Sequence, residues 1–140
     1  ISLESKFIDK SFRKQAMKMD KTIVVYEAGE SMRFDEQSIT EGILGAKKVL
    51  AHFGMIDFTS EPQETIKCSE SIWVRAKSSG ILHLEKTSGQ FVKSKEILAT
   101  ITDPFGNFKT KIKAPKGGTI IGHTNAPLVN QGDALYHIGN

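Results

Sequence analysis

The spacing of apolar residues divides the chain into two textures. In the first, Leu3, Phe7, Ile8, Phe12 and Ala16 recur at helical intervals among Lys and Arg, which predicts an amphipathic helix from Leu3 to Met17. Thr22-Ile23-Val24-Val25-Tyr26 is an unbroken β-branched run and predicts a buried strand. It stops at Glu27-Ala28-Gly29-Glu30, so two carboxylates and a glycine stand where that strand leaves the core. Asp35 then caps a second helix with Glu36 in its first turn; Ile39, Ile43, Ala46, Leu50 and Phe53 share a face until Gly54 ends it. A lone strand makes no sheet, so its partners are expected in a portion preceding Ile1. The chain opens on isoleucine, in a segment already patterned as a helix, and reads as a piece of a longer protein.

The second texture follows a polar connection, Asp57 to Ser71, that contains a proline and shows no period. Beyond it lie eight of the twelve glycines and three of the four prolines, with short β-type runs at Ile72–Ala76, Ile81–Leu84, Ile97–Ile101, Phe108–Ala114, Thr119–Ile121 and Leu135–Ile138. The region repeats itself. Val74-Arg75-Ala76-x-x-x-Gly80-Ile81-Leu82 matches Ile112-Lys113-Ala114-x-x-x-Gly118-Thr119-Ile120 at an offset of 38, and Val92-x5-Leu98-x2-Ile101 matches Val129-x5-Leu135-x2-Ile138 at an offset of 37. Two copies that each hold too little core must share one, which predicts a pseudo-twofold barrel-like sandwich.

With its turn signal Ala114-Pro115-Lys116-Gly117-Gly118, this repeat resembles the lipoyl and biotinyl carrier domains. The resemblance implies a modified lysine seven residues before Ala114, yet that position is Asn107, an amide no ligase can acylate. A carrier role is therefore disfavoured, and Asp103 to Asn107 reads as a plain turn. Lys109, Lys111 and Lys113 alternate along the next strand and read as a solvated edge rather than a phosphate-binding stripe.

Composition changes this picture little. The chain of 140 residues is 39% hydrophobic and 25% charged, which suits a folded domain, and its formal charge of +3 is too mild to imply nucleic acid. The excess is in the second part: residues 1–58 carry nine basic and nine acidic side chains, residues 59–140 ten and seven. Cys68 is the single cysteine, so no internal disulfide forms. No apolar run approaches a membrane span and the first twenty residues carry eight charges, so neither membrane segment nor signal peptide is read, and a cytoplasmic location is expected.

Several motifs, taken in order, carry a resemblance that spans residues 20–140. They are Tyr26-Glu27-Ala28-Gly29-Glu30, Arg33-Phe34-Asp35-Glu36, Val49-Leu50-x-x-Phe53-Gly54-Met55, Trp73-Val74-Arg75-Ala76-x-x-x-Gly80, Asp103-Pro104-Phe105-Gly106 and Pro127-Leu128-Val129-Asn130-x-Gly132-Asp133-Ala134-Leu135. In this order they resemble the C-terminal portion of the succinylglutamate desuccinylase/aspartoacylase family of zinc deacylases, whose catalytic domain is carboxypeptidase-like. The resemblance implies an α+β chain: the end of an α/β zinc-hydrolase domain over 1–58, a linker over 59–66 and a barrel-sandwich β module over 67–140. It implies hydrolysis of the amide bond of an N-acyl amino acid or similar small substrate, with no nucleic acid or membrane partner; a homo-oligomer is compatible with the sequence.

By that resemblance Glu27 is the general base, taking a proton from the attacking water and passing it to the leaving amine. Gly29 and Glu30 are supporting residues, Glu30 through local electrostatics or loop hydrogen bonds. The zinc would be held by His-x-x-Glu and a later His. No such motif occurs: His52, His83, His123 and His137 are followed at +3 by Met55, Lys86, Ala126 and Asn140, so no metal ligand is expected in this chain. The alternative is a non-catalytic β module used for assembly or active-site gating.

Overall fold

Helix α1 (Phe12–Lys18) begins where Ser11, in extended backbone, accepts the Lys14 amide on its hydroxyl at 3.2 Å. The computed structural model describes residues 1–3 and 9–140, and they form two units, one of residues 9–64 and one of residues 65–140 with 1–3. The helix expected from Leu3 to Met17 is thus shorter. Lys10 has φ 64 immediately before the cap, a left-handed turn that a continuous helix cannot absorb. Ser2–Leu3 is instead strand β1, paired in parallel with β2 (Lys67–Cys68). Phe7 and Ile8, assigned to the same helix by their spacing, lie outside the described residues.

Helix α2 (Glu36–His52) has the ends its sequence requires. Asp35 Oδ1 accepts the Ser38 amide at 2.8 Å, which holds this carboxyl below the usual carboxylate range. At the other end Gly54, with φ 66, donates to Ala51 O at 2.9 Å, and Met55 N donates to Leu50 O at 2.9 Å. This pair of bonds satisfies the last carbonyls as a Schellman motif does. Neither helix buries a residue, so Ile39, Ile43, Leu50 and Phe53 form an open apolar stripe.

The strand expected at Thr22–Tyr26 does not form. Residues 21–28 are neither helix nor strand, and Val24, Val25 and Tyr26 are exposed. A β-branched run becomes a strand only against a partner, and no described strand pairs with this one.

In the second unit the repeat becomes architecture. The first copy forms β3 (Ser71–Arg75), β4 (Gly80–Leu84), β5 (Phe91–Val92) and β6 (Ile97–Thr102). The second forms β7 (Lys109–Lys113), β8 (Gly118–His123), β9 (Leu128–Val129) and β10 (Ala134–Gly139). The strands join two antiparallel sheets of order β3-β10-β8-β5 and β7-β6-β4-β9. Exchanging the two copies turns one sheet order into the other, so each sheet borrows two strands from each copy.

The turns repeat as well. Lys93 N donates to Glu96 Oε2, and Asn130 N to Asp133 Oδ2, each at 2.7 Å. Ala114 N donates to Glu96 O at 2.9 Å as Ala76 N does to Asp133 O at 2.8 Å. Lys95 with φ 68 occupies the position of Gly132 with φ 95.

The shared core contains Val92, Leu98, Ile101, Ile112, Ile120, Leu135 and Ile138, all buried and drawn from both sheets. Because the two copies bury each other, a polypeptide of residues 65–140 should fold cooperatively without residues 9–64. Its ¹⁵N-correlation spectrum should be well dispersed, whereas a collapsed spectrum would disprove the shared core.

Tyr136 is fully buried at its centre, and its hydroxyl donates to Leu98 O at 2.6 Å and lies 3.0 Å from Lys86 O. Burial pushes this phenol up to about 12. The neutral form is therefore favoured by folding: the stabilisation is complete below pH ~10, where the unfolded tyrosine titrates, and is lost as pH rises towards 12. Tyr136→Phe should cost about 1–2 kcal/mol at neutral pH by removing the phenol donor from Lys86 O, while Leu98 O keeps the Glu85 and Lys86 amides. It should also flatten the loss of stability between pH 10 and 12, read by urea unfolding at several pH values.

Candidate functional site

The candidate site is the loop from Tyr26 to Asp35, folded against the first turns of α2. Tyr26 anchors it. Its hydroxyl donates to Ser38 O at 2.7 Å, and its ring packs over Gly42, where a Cβ would come within 2.9 Å of the ring. Gly29, at φ 77, makes the turn that brings the chain back to the helix; a Cβ there would lie 3.7 Å from Asp35 and Ser38. Met32 also adopts a left-handed conformation, φ 64, and its side chain is fully exposed.

Glu27 and Glu30 differ in their surroundings. Glu30 Oε1 lies 3.1 Å from Arg33 Nε, an exposed ion pair three residues apart. Glu27 faces solvent, and among the described residues its carboxylate has no hydrogen-bond or ion-pair partner. With the run at Thr22–Tyr26 unpaired, Glu27 stands on an exposed connection and not at the end of a buried strand. The Tyr26 hydroxyl, the Gly29 turn and the Asp35 cap hold this loop. The Glu30–Arg33 pair and the Tyr26 anchor escaped the sequence reading; an acid and a base three apart after a glycine was the available signal.

Each of the four histidines has a local neighbour. His52 ends α2 with its ring 5.2 Å from that of Phe53. His83 Nε2 is 3.1 Å from Thr102 Oγ1. His123 Nδ1 accepts the Ser88 amide at 3.1 Å and lies 2.6 Å from Ser88 Oγ. His137 stacks on Trp73 with centroids 4.2 Å apart. Among the described residues no three His, Cys, Asp or Glu side chains converge as a metal site. Asn107 sits in the turn between β6 and β7, its Nδ2 donating to Asp103 Oδ2 at 2.8 Å.

Two hollows of about 330 and 420 Å³ flank α1, lined by Met17, Met19, Lys21, Thr22 and Ile23 among others; neither reaches Glu27 or Glu30. No described helix is long and apolar enough to cross a membrane.

Among the described residues, fold and loop together define a mixed α/β chain with two helices, two antiparallel four-stranded sheets, a two-stranded parallel pair and an acidic loop capping the longer helix. No protein-family model matches the sequence, and no curated protein matches it. Among solved structures the chain is similar to the ectoine utilization protein EutE (DoeB) from Ruegeria pomeroyi, with TM-score 0.86 and 22% identity over 99% of this chain and 46% of that one. It is similar to a succinylglutamate desuccinylase from Silicibacter sp. TM1040, with TM-score 0.82 and 19% identity over 98% and 43%. A succinylglutamate desuccinylase/aspartoacylase from Rhodobacter sphaeroides aligns with TM-score 0.67 and 18% identity over 77% and 37%. The likeness is one of fold, and the chain spans less than half the length of these proteins.

Proposed function

We propose that this chain is part of a succinylglutamate desuccinylase/aspartoacylase-type deacylase, the part that follows the metal-binding segment. The whole protein would hydrolyse the amide bond of an N-acyl amino acid or similar small substrate. One observation carries the reading: the fold likeness to EutE runs over 99% of the chain, through both the acidic loop and the β unit.

Within this reading Glu27 is the general base. An unpaired carboxylate can take a proton from water as its oxygen bonds to the acyl carbon, then deliver that proton to the amine nitrogen as the C–N bond breaks. Glu30 is committed to Arg33 and shapes the loop. A zinc ion would supply Lewis-acid chemistry, held by residues outside this chain. The open apolar stripe of α2 and the unpaired run at Thr22–Tyr26 are then the surfaces that the rest of an α/β domain covers. The β unit is a barrel-sandwich module, with Asn107 where a carrier would hold its lysine. Since that unit has a core of its own, a role in assembly or gating is the second reading.

The test is an assay of the whole natural polypeptide that carries these residues, following primary-amine release from N-acetyl and N-succinyl amino acids. Release that a zinc chelator abolishes and added zinc restores is the expected outcome. Residues 1–140 alone should release no amine and bind no stoichiometric zinc. A whole protein that is folded and zinc-replete yet inert towards every N-acyl amino acid would overturn the reading.

A further inference from the structure

Strand β7 lies at the outer edge of its sheet, paired only with β6 among the described strands. Its side chains alternate: Ile112 is buried and Thr110 half-buried, whereas Lys109, Lys111 and Lys113 are all exposed on the opposite face. Across the sheet Lys109, Lys111 and Lys113 stand opposite Thr102, Thr100 and Ile97, and Thr100 stands opposite His83, so the charge that β7 itself carries on this face is basic.

Among the described residues, two acids of the same unit are held in ion pairs with other lysines, and three more accept hydrogen bonds. Glu70 is 3.0 Å from Lys116, and Glu96 is 2.7 Å from Lys86. Glu85 accepts from Thr100 at 2.9 Å, Asp103 accepts from Asn107, and Asp133 accepts the Asn130 amide. Three lysines at alternate positions stand about 7 Å apart, and among the described residues none of them is in an ion pair. Lysines so placed repel a neutral or basic strand from the edge. A strand with carboxylates at the same period would pair its main chain with β7 and match each lysine across the ladder.

We propose that the free edge of β7 is a docking strand for an extended acidic peptide segment with Asp or Glu at alternate positions. The main chain supplies the affinity, and the three lysines select the partner and its register. Such a site is independent of the deacylase reading, because it uses only residues of the β unit.

The probe is a synthetic (Glu-Thr)₄ peptide, titrated at low salt into ¹⁵N-labelled protein of residues 1–140. Shifts and slowed amide exchange should centre on residues 109–113. The triple variant Lys109→Gln, Lys111→Gln, Lys113→Gln should bind about tenfold more weakly, as expected for three exposed ion pairs. Lys→Glu at the same three positions should transfer binding to (Lys-Thr)₄, which separates a charge-matched ladder from a folding defect. The absence of shifts at β7 would overturn the proposal. So would equal binding by a peptide N-methylated at alternate residues, since strand pairing would then be uninvolved. Tighter binding by a single-stranded oligonucleotide would overturn it as well, by making the edge a phosphate site.

Discussion

Glu27→Gln in the whole protein should lower kcat by ~10²–10⁴, about 3–5 kcal/mol of barrier, with KM unchanged within a few-fold. Glutamine keeps the shape and the hydrogen-bonding capacity of the side chain but lacks the basic carboxylate that takes water's proton. Zinc content should stay constant, because in the proposed mechanism Glu27 is neither ligand nor substrate clamp. Glu30→Gln is the companion variant. It breaks the 3.1 Å pair with Arg33 and should loosen the loop, with a smaller loss of kcat. If Glu30→Gln abolished turnover while Glu27→Gln retained it, the base would be Glu30. If both stayed active, the proposed mechanism would be wrong.

The second large effect concerns stability. Gly80→Ala and Gly118→Ala should each destabilise the β unit by about 2–3 kcal/mol, lowering its midpoint by roughly 10–20 °C. These glycines are equivalent in the two copies. A Cβ on Gly80 would come within 2.5 Å of Thr102 O, and one on Gly118 would collide with Gly139 O, its counterpart. The obstacle in both cases is a main-chain carbonyl beside a ladder, which cannot swing aside as a side chain can. Gly80 also has φ 153, which adds strain for any residue with a Cβ. Gly122→Ala is the control in β8: nothing lies within 4 Å of its Cβ position, so its stability should change by less than about 0.5 kcal/mol. Urea unfolding of the three variants decides the matter; equal effects at Gly118 and Gly122 would show that loss of glycine in a strand, rather than close approach, sets the cost.

Much of the β unit was legible because a repeat reports twice on one structure. The match of Val74–Leu82 to Ile112–Ile120 located the glycines that touch the opposite strand, and the core positions Leu98 and Leu135 fell at equivalent places. The two-residue strands β5 and β9 are too short to show a period, so pairing alone reveals them. In the first unit the capping chemistry of α2 was readable from Asp35 to Gly54, since a cap is a contact between residues a few positions apart. The run at Thr22–Tyr26 misled because its side chains describe the surface it would bury without supplying the partner strand.

The sequence by itself determined the local terms: the ends of α2, the turns of the β unit, the alternation that buries Ile112 and exposes Lys111, and the acid–glycine–acid order of the loop. These depend on dihedral preferences and on bonds between near neighbours. Only the tertiary structure decided that the two copies exchange strands between sheets and that Tyr136 reaches Leu98 O and Lys86 O. Those outcomes turn on which distant groups meet, and the free energy of such a meeting belongs to the pair rather than to either residue.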